Sequence, residues 1–131
     1  MEFEIYFDGA KKINAKVGDK VIMTDQPVQA GGEGSAPEPF TLFLVSIGTC
    51  AGIYIKSFCD QRGIPSEGIK IIQSLNFNQS TRLIENIYLD IKLPVSFPEK
   101  YKNAVINAAN LCTVKRHLQN PPQIEVKTST V

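Results

Sequence analysis

Residues 39–55 read PFTLFLVSIGTCAGIYI, seventeen positions without one charged side chain. A membrane-spanning helix needs about 20 predominantly apolar residues. This run is slightly short, opens on Pro39 and carries Ser46, Gly48, Thr49 and Gly52. The expectation is therefore a core helix buried on all sides. Pro39 suits a first helical turn, where its missing N–H matters least. Gly63 and then Pro65 form a stop signal, so the helix is expected from about Pro39 to Arg62. Its last turn carries Lys56, Asp60, Gln61 and Arg62, and that end is wet.

Upstream, residues 25–38 (DQPVQAGGEGSAPE) hold two prolines and three glycines, which reads as a long loop. It lacks the G-K-[ST] ending of a P-loop, and Pro37 stands where the third glycine of G-x-G-x-x-G belongs. A mobile lid or linker is expected rather than a phosphate cradle. Glu33 and Glu38 in this loop are expected to be solvated. Earlier still, Phe3, Ile5 and Phe7 alternate with Glu2, Glu4 and Asp8 as on a half-buried strand. Asp8-Gly9 is a hairpin signal, Ile13, Ala15 and Val17 alternate next, and Gly18-Asp19 turns the chain into Val21-Ile22-Met23. These predict a three-stranded meander.

Downstream, Ile69, Ile71, Leu75 and Phe77 share one parity, as do Ile87, Leu89, Ile91 and Leu93. Polar residues 78–82 join them as a hairpin. Ser96 and Glu99 fit a capping box ahead of a helical stripe of Tyr101, Ala104, Val105 and Ala108. A short helix is expected from about Cys112 to Gln119, stopped by Asn120-Pro121-Pro122. Ile124, Val126 and Thr128 alternate as on a last strand.

Strands and helices do not alternate strictly, so the expected fold class is α+β with mostly antiparallel sheets, not a doubly wound parallel sheet. At 131 residues the chain is expected to be a single domain spanning 1–131. So small a sheet covers a charge-free helix poorly, and a second copy supplying the rest of the core predicts a C2 homodimer.

With 14 basic and 13 acidic side chains, the chain has no basic excess that would point to nucleic acid. The start, Met1-Glu2-Phe3-Glu4-Ile5, shows neither the positive charge nor the apolar run of a secretory leader. Three widely spaced cysteines are the pattern of reduced thiols. Together these predict a soluble cytoplasmic protein that binds neither nucleic acid nor a membrane.

The thiols are the candidate chemistry. Cys50 and Cys59 lie nine residues apart on one predicted helix. They point about 180° apart with a rise of about 13 Å, too far for a disulfide, which needs Cα atoms within about 7 Å. Cys112 is the one intramolecular partner open to either. Cys50 shares its face with Ile53, Tyr54 and Phe58, among small residues that let another segment or a substrate approach. Cys112 stands at the start of a helix, where the dipole favours a thiolate, with Lys115, Arg116 and His117 following. Free cysteine is often inert packing, and Cys59 is read so. No C-x-x-C or H-x3-H pair is present for zinc, and His117 reads as a surface helix residue. No metal or other cofactor is expected. Serine chemistry has no G-x-S-x-G and no second histidine.

The segment Pro39-Phe40-Thr41-Leu42-Phe43-Leu44-Val45-Ser46-Ile47-Gly48-Thr49-Cys50 resembles one in the OsmC/Ohr family, where a proline opens a long apolar helix that reaches a reactive cysteine. Leu111-Cys112-Thr113-Val114-Lys115-Arg116-His117-Leu118 resembles the family's second-cysteine segment, and the element order is similar over essentially the whole chain. The resemblance implies an intertwined homodimer with long central helices between sheets. It implies a thiol peroxidase acting on small organic hydroperoxides in oxidative-stress defence, with Cys50 peroxidatic, Cys112 resolving and a dithiol reductant. The family's peroxidases also use an arginine from the N-terminal region and a glutamate just after the helix-opening proline. Here the first arginine is Arg62, and Phe40 and Thr41 follow Pro39. The other reading is a non-catalytic homodimer of the same family that responds to redox state or holds an apolar ligand.

Overall fold

The computed structural model describes all 131 residues, Met1–Val131. The chain clusters into two compact units, Met1–Val45 and Ser46–Val131.

In the first unit, β1 (Glu4–Phe7), β2 (Ile13–Val17) and β3 (Lys20–Ile22) form the expected antiparallel meander. Glu4 lies opposite Lys16, and their side chains pair at 2.9 Å. Next, the 25–38 loop folds around one carboxylate instead of lying open as a lid. Asp25 is fully buried. Its Oδ1 accepts the N–H of Gln26 at 2.7 Å, and its Oδ2 accepts the Ser35 hydroxyl at 2.6 Å and the N–H groups of Ser35 and Glu33 at 3.1 and 3.3 Å. The Ser35 hydroxyl above all, and the Gln26 N–H after it, hold the Asp25 carboxyl down at about 2, against an ordinary 3.8. Val28–Ala30 form a 3₁₀ turn inside this loop. Gly32 has to be glycine, because a Cβ there would lie 2.0 Å from the Gln26 carbonyl oxygen.

The helix α1 runs Pro39–Gln61. Its end is a Schellman motif: Ile64 N–H reaches the Cys59 carbonyl at 2.9 Å, Gly63 N–H reaches Asp60 at 3.3 Å, and Gly63 sits at φ +63°. By length and composition alone α1 could cross a membrane, with a mean hydropathy of 1.6 in its most apolar window; a soluble core helix passes the same test. Within this chain the helix is not buried on all sides. The buried positions Ile47, Ala51, Ile55, Phe58 and Cys59 form one stripe at helical spacing. Phe40, Phe43, Val45 and Ile53 remain exposed.

In the second unit, β4 (Lys70–Asn78) and β5 (Leu83–Lys92) pair as the expected antiparallel hairpin, with a bulge at Asn76/Phe77. Ala51, Ile55, Phe58 and Cys59 pack in one core with Ile64, Phe97, Val105 and Ala109, flanked by Ile71, Leu89 and Ile91 of the hairpin. The helices α2 (Lys102–Asn110) and α3 (Thr113–Gln119) follow. Two expectations fail locally. Ser96 caps nothing: a 3₁₀ turn at Glu99–Tyr101 precedes α2, its N-cap is Pro98, and no side chain bonds to it. Residues 124–128 form no strand, and Ile124 and Val126 stand exposed. Alternation made them look like a strand, but they pair with no strand of either sheet.

Candidate active site

All three thiols are free and lie in the second unit. They sit in different environments.

Cys59 is completely buried, and that burial, followed by the nearby Asp60, pushes its thiol pKa up. Its job is packing, as its place in the core cluster indicates.

Cys50 is half-buried on α1. The small residues around it have an identifiable use. At Gly48 the Gln73 amide of β4 comes so near that a Cβ would lie 2.6 Å from Oε1, and at Gly52 the Ile71 side chain makes ordinary contact. Gly48 and Gly52 each stand two residues from Cys50, about 200° round the helix, so the hairpin packs on the side away from the thiol.

Cys112 is the N-cap of α3, and its Sγ accepts the Lys115 N–H at 3.2 Å. The position is as expected: one helix ends at Asn110 and the next begins at Thr113. Although only 2% exposed, Cys112 forms part of the wall of an apolar cleft of about 710 Å³. The cleft runs along β5 past Leu89 and Ile91 and is closed by Val105 and Ala109 of α2 and Leu118 of α3. Ile47, one turn before Cys50, also lines it; Cys50 does not. Three lysines stand at the cleft. Lys92 pairs with Asp90 at 2.6 Å and Lys102 with Glu99 at 2.7 Å, whereas Lys115 Nζ donates to the neutral Asn110 side chain at 2.6 Å.

A side-chain bond joins the segments bearing Cys50 and Cys112. Tyr54 Oη and Thr113 Oγ1 lie 2.8 Å apart. Tyr54 is one turn beyond Cys50, and Thr113 directly follows Cys112. His117 is an exposed residue of α3, as expected, and its Nδ1 lies 2.8 Å from the Thr113 carbonyl oxygen. Sequence reasoning put Tyr54 on the face of Cys50 but had no signal for Thr113, whose role depends on tertiary contact. Of the loop acids, Glu33 pairs with Lys12 at 3.0 Å. The buried acid, Asp25, carried no sequence signal beyond its place at the start of a glycine-rich loop.

The fold has solved relatives. A protein from Psychrobacter arcticus 273-4, described as osmotic stress induced and of the detoxification response, superposes with a TM-score of 0.74 at 21% identity, covering 87% of this chain and 85% of that one. A hypothetical protein from Aquifex aeolicus VF5 gives 0.65 at 20% identity, over 92% and 87%. An organic hydroperoxide resistance protein OsmC from Legionella pneumophila, also named a redox protein and regulator of sulfide bond formation, gives 0.54 at 17% identity, over 90% and 88%. At these identities the likeness shows the fold. A comparison with curated proteins finds no match. The model of the OsmC-like protein family matches residues 32–127, a span that takes in α1, the β4–β5 hairpin and all three cysteines. With most of its length inside that match and its fold shared with OsmC proteins, the chain belongs to the OsmC-like family.

Proposed function

We propose that the protein is a cytoplasmic thiol peroxidase that reduces small organic hydroperoxides in oxidative-stress defence and works as a homodimer. The observation that carries this reading is the Tyr54–Thr113 bond, which ties the Cys50 turn of α1 to the Cys112 cap beside an apolar cleft. Half-buried Cys50 is the peroxidatic residue. Its thiolate attacks the hydroperoxide, the O–O bond breaks, and the alkoxide leaves as the alcohol after taking a proton. Cys50 keeps the other oxygen as a sulfenic acid. The Cys112 sulfur then attacks the Cys50 sulfur, the S–O bond breaks, and the hydroxyl leaves as water with the Cys112 proton. A dithiol, small or borne by a protein, reduces the disulfide by exchange. Apolar walls suit the organic part of the substrate, and no cofactor enters.

The second reading, a non-catalytic dimer that holds an apolar ligand, is favoured by one specific fact: residues 1–38 contain no arginine, and Phe40 follows Pro39. Consumption of cumene hydroperoxide with dithiothreitol as reductant separates the two. The peroxidase reading expects turnover in the native protein and none in Cys50→Ser. The binding reading expects no turnover in either, with a fluorescent apolar probe still retained by Cys50→Ser.

A further inference from the structure

A reaction with two thiols has two geometric demands, and the second is the stricter. The first step needs only an open path from a hydroperoxide to Cys50. The second needs two sulfurs from different elements at bonding distance, and disulfide geometry tolerates only a narrow range of Cα separations. Cys50 sits in the middle of a long helix whose backbone is fixed by its own hydrogen bonds. Cys112 sits at a cap between two short helices, and Leu111 beside it is exposed. The precision of the pair therefore depends on what pins the start of α3 to α1.

The side-chain tie is Tyr54 to Thr113, at 2.8 Å. Tyr54 is four residues after Cys50, about 6 Å along the same helix. Thr113 is held from its other end as well, its carbonyl oxygen lying 2.8 Å from His117 Nδ1, and the Cys112 Sγ is held by the Lys115 N–H. The cap is also braced to α2, through the Cys112 N–H on the Ala109 carbonyl and Lys115 on Asn110, and Tyr54–Thr113 is a bond that ties it to α1.

We infer that Tyr54 and Thr113 are positioning residues for the disulfide-forming step: their shared hydrogen bond sets the register of Cys112 against Cys50. The inference rests on the peroxidase reading given above. Neither residue exchanges a proton or an electron with the substrate. They govern how often the sulfenic acid on Cys50 meets the Cys112 sulfur before something else does. A misplacement of about an ångström at a reacting centre is enough to slow a step markedly.

The test partitions the sulfenic acid. Native, Tyr54→Phe, Thr113→Val and Thr113→Ser proteins each receive one equivalent of cumene hydroperoxide in the presence of dimedone. Peptide mapping then gives the ratio of dimedone-labelled Cys50 to Cys50–Cys112 disulfide. Loss of one ordinary hydrogen bond predicts a rise in that ratio of roughly fivefold in Tyr54→Phe and in Thr113→Val. Thr113→Ser keeps the hydroxyl and returns the native ratio. The Tyr54→Phe/Thr113→Val double variant shows no further rise, because both changes remove the same bond. A merely structural role does not produce this pattern of partition and rescue. A native ratio in Tyr54→Phe, with disulfide forming in the native protein, overturns the inference alone. Neither adduct nor disulfide in the native protein overturns the peroxidase reading and the inference with it.

Discussion

Cys59 and Cys50 lie on one helix yet differ in burial, Cys59 being enclosed and Cys50 partly open. Cys59 has no accessible surface, packs against Ile64 through the helix-terminating turn, and has its pKa raised by burial and by Asp60. The thiolate is the reacting form, so a buried thiol with a raised pKa reacts slowly. Iodoacetamide is therefore expected to alkylate Cys50 in the folded protein well before Cys59, and Cys59 only on unfolding. Alkylation of Cys59 at the rate of Cys50 would show that this end of α1 opens. Sequence periodicity alone separated the two thiols, since nine residues at helical pitch send them to opposite sides. The reading of Cys59 as inert packing holds, although Asp60 and Gln61 beside it are polar.

Among the elements, the loop before α1 is organised by a single carboxylate. Asp25 holds its proton less readily when folded, at about 2, than its ordinary 3.8. Its contribution to loop order is complete above that ordinary value and is lost as pH falls through the folded one. Limited proteolysis between Asp25 and Glu38 is expected to accelerate as pH falls through this window, read with an acid-active protease. Asp25→Asn is expected to cut faster already at neutral pH, because an amide nitrogen would face N–H donors, and to lose most of that pH dependence. An unchanged profile in the variant would remove Asp25 as the organiser. Long elements with strict periodicity were legible: α1 from its uncharged run, the β4–β5 hairpin from its parity, and α3 from Cys112 and Asn120-Pro121. Residues 124–128 and the Ser96 cap were misread for one reason. Both patterns are local, and whether a strand finds an edge or a hydroxyl finds an N–H is decided by the rest of the fold.

For the whole molecule, accessible surface is the informative quantity. The chain leaves 10298 Å² accessible. Each unit shows uncovered apolar side chains: Phe3, Ile5 and Phe7 in the first, and Ile53, Leu75 and Phe77 in the second. Apolar side chains left open in this way favour a covering partner. Light scattering after size exclusion is expected to give twice 14.5 kDa at micromolar concentration. Ile53→Glu, which puts a charge on the open side of α1, is expected to lower that mass or cause aggregation. A native mass of 14.5 kDa would contradict the dimer.

The proposed reaction depends on two sulfurs acting as one centre. Intact mass and peptide mapping of the native protein after one equivalent of cumene hydroperoxide test this most directly. The prediction is a loss of two hydrogens, with Cys50 and Cys112 in a single cross-linked peptide pair and Cys59 unmodified. An unchanged mass, or oxidation scattered over all three cysteines, would contradict it.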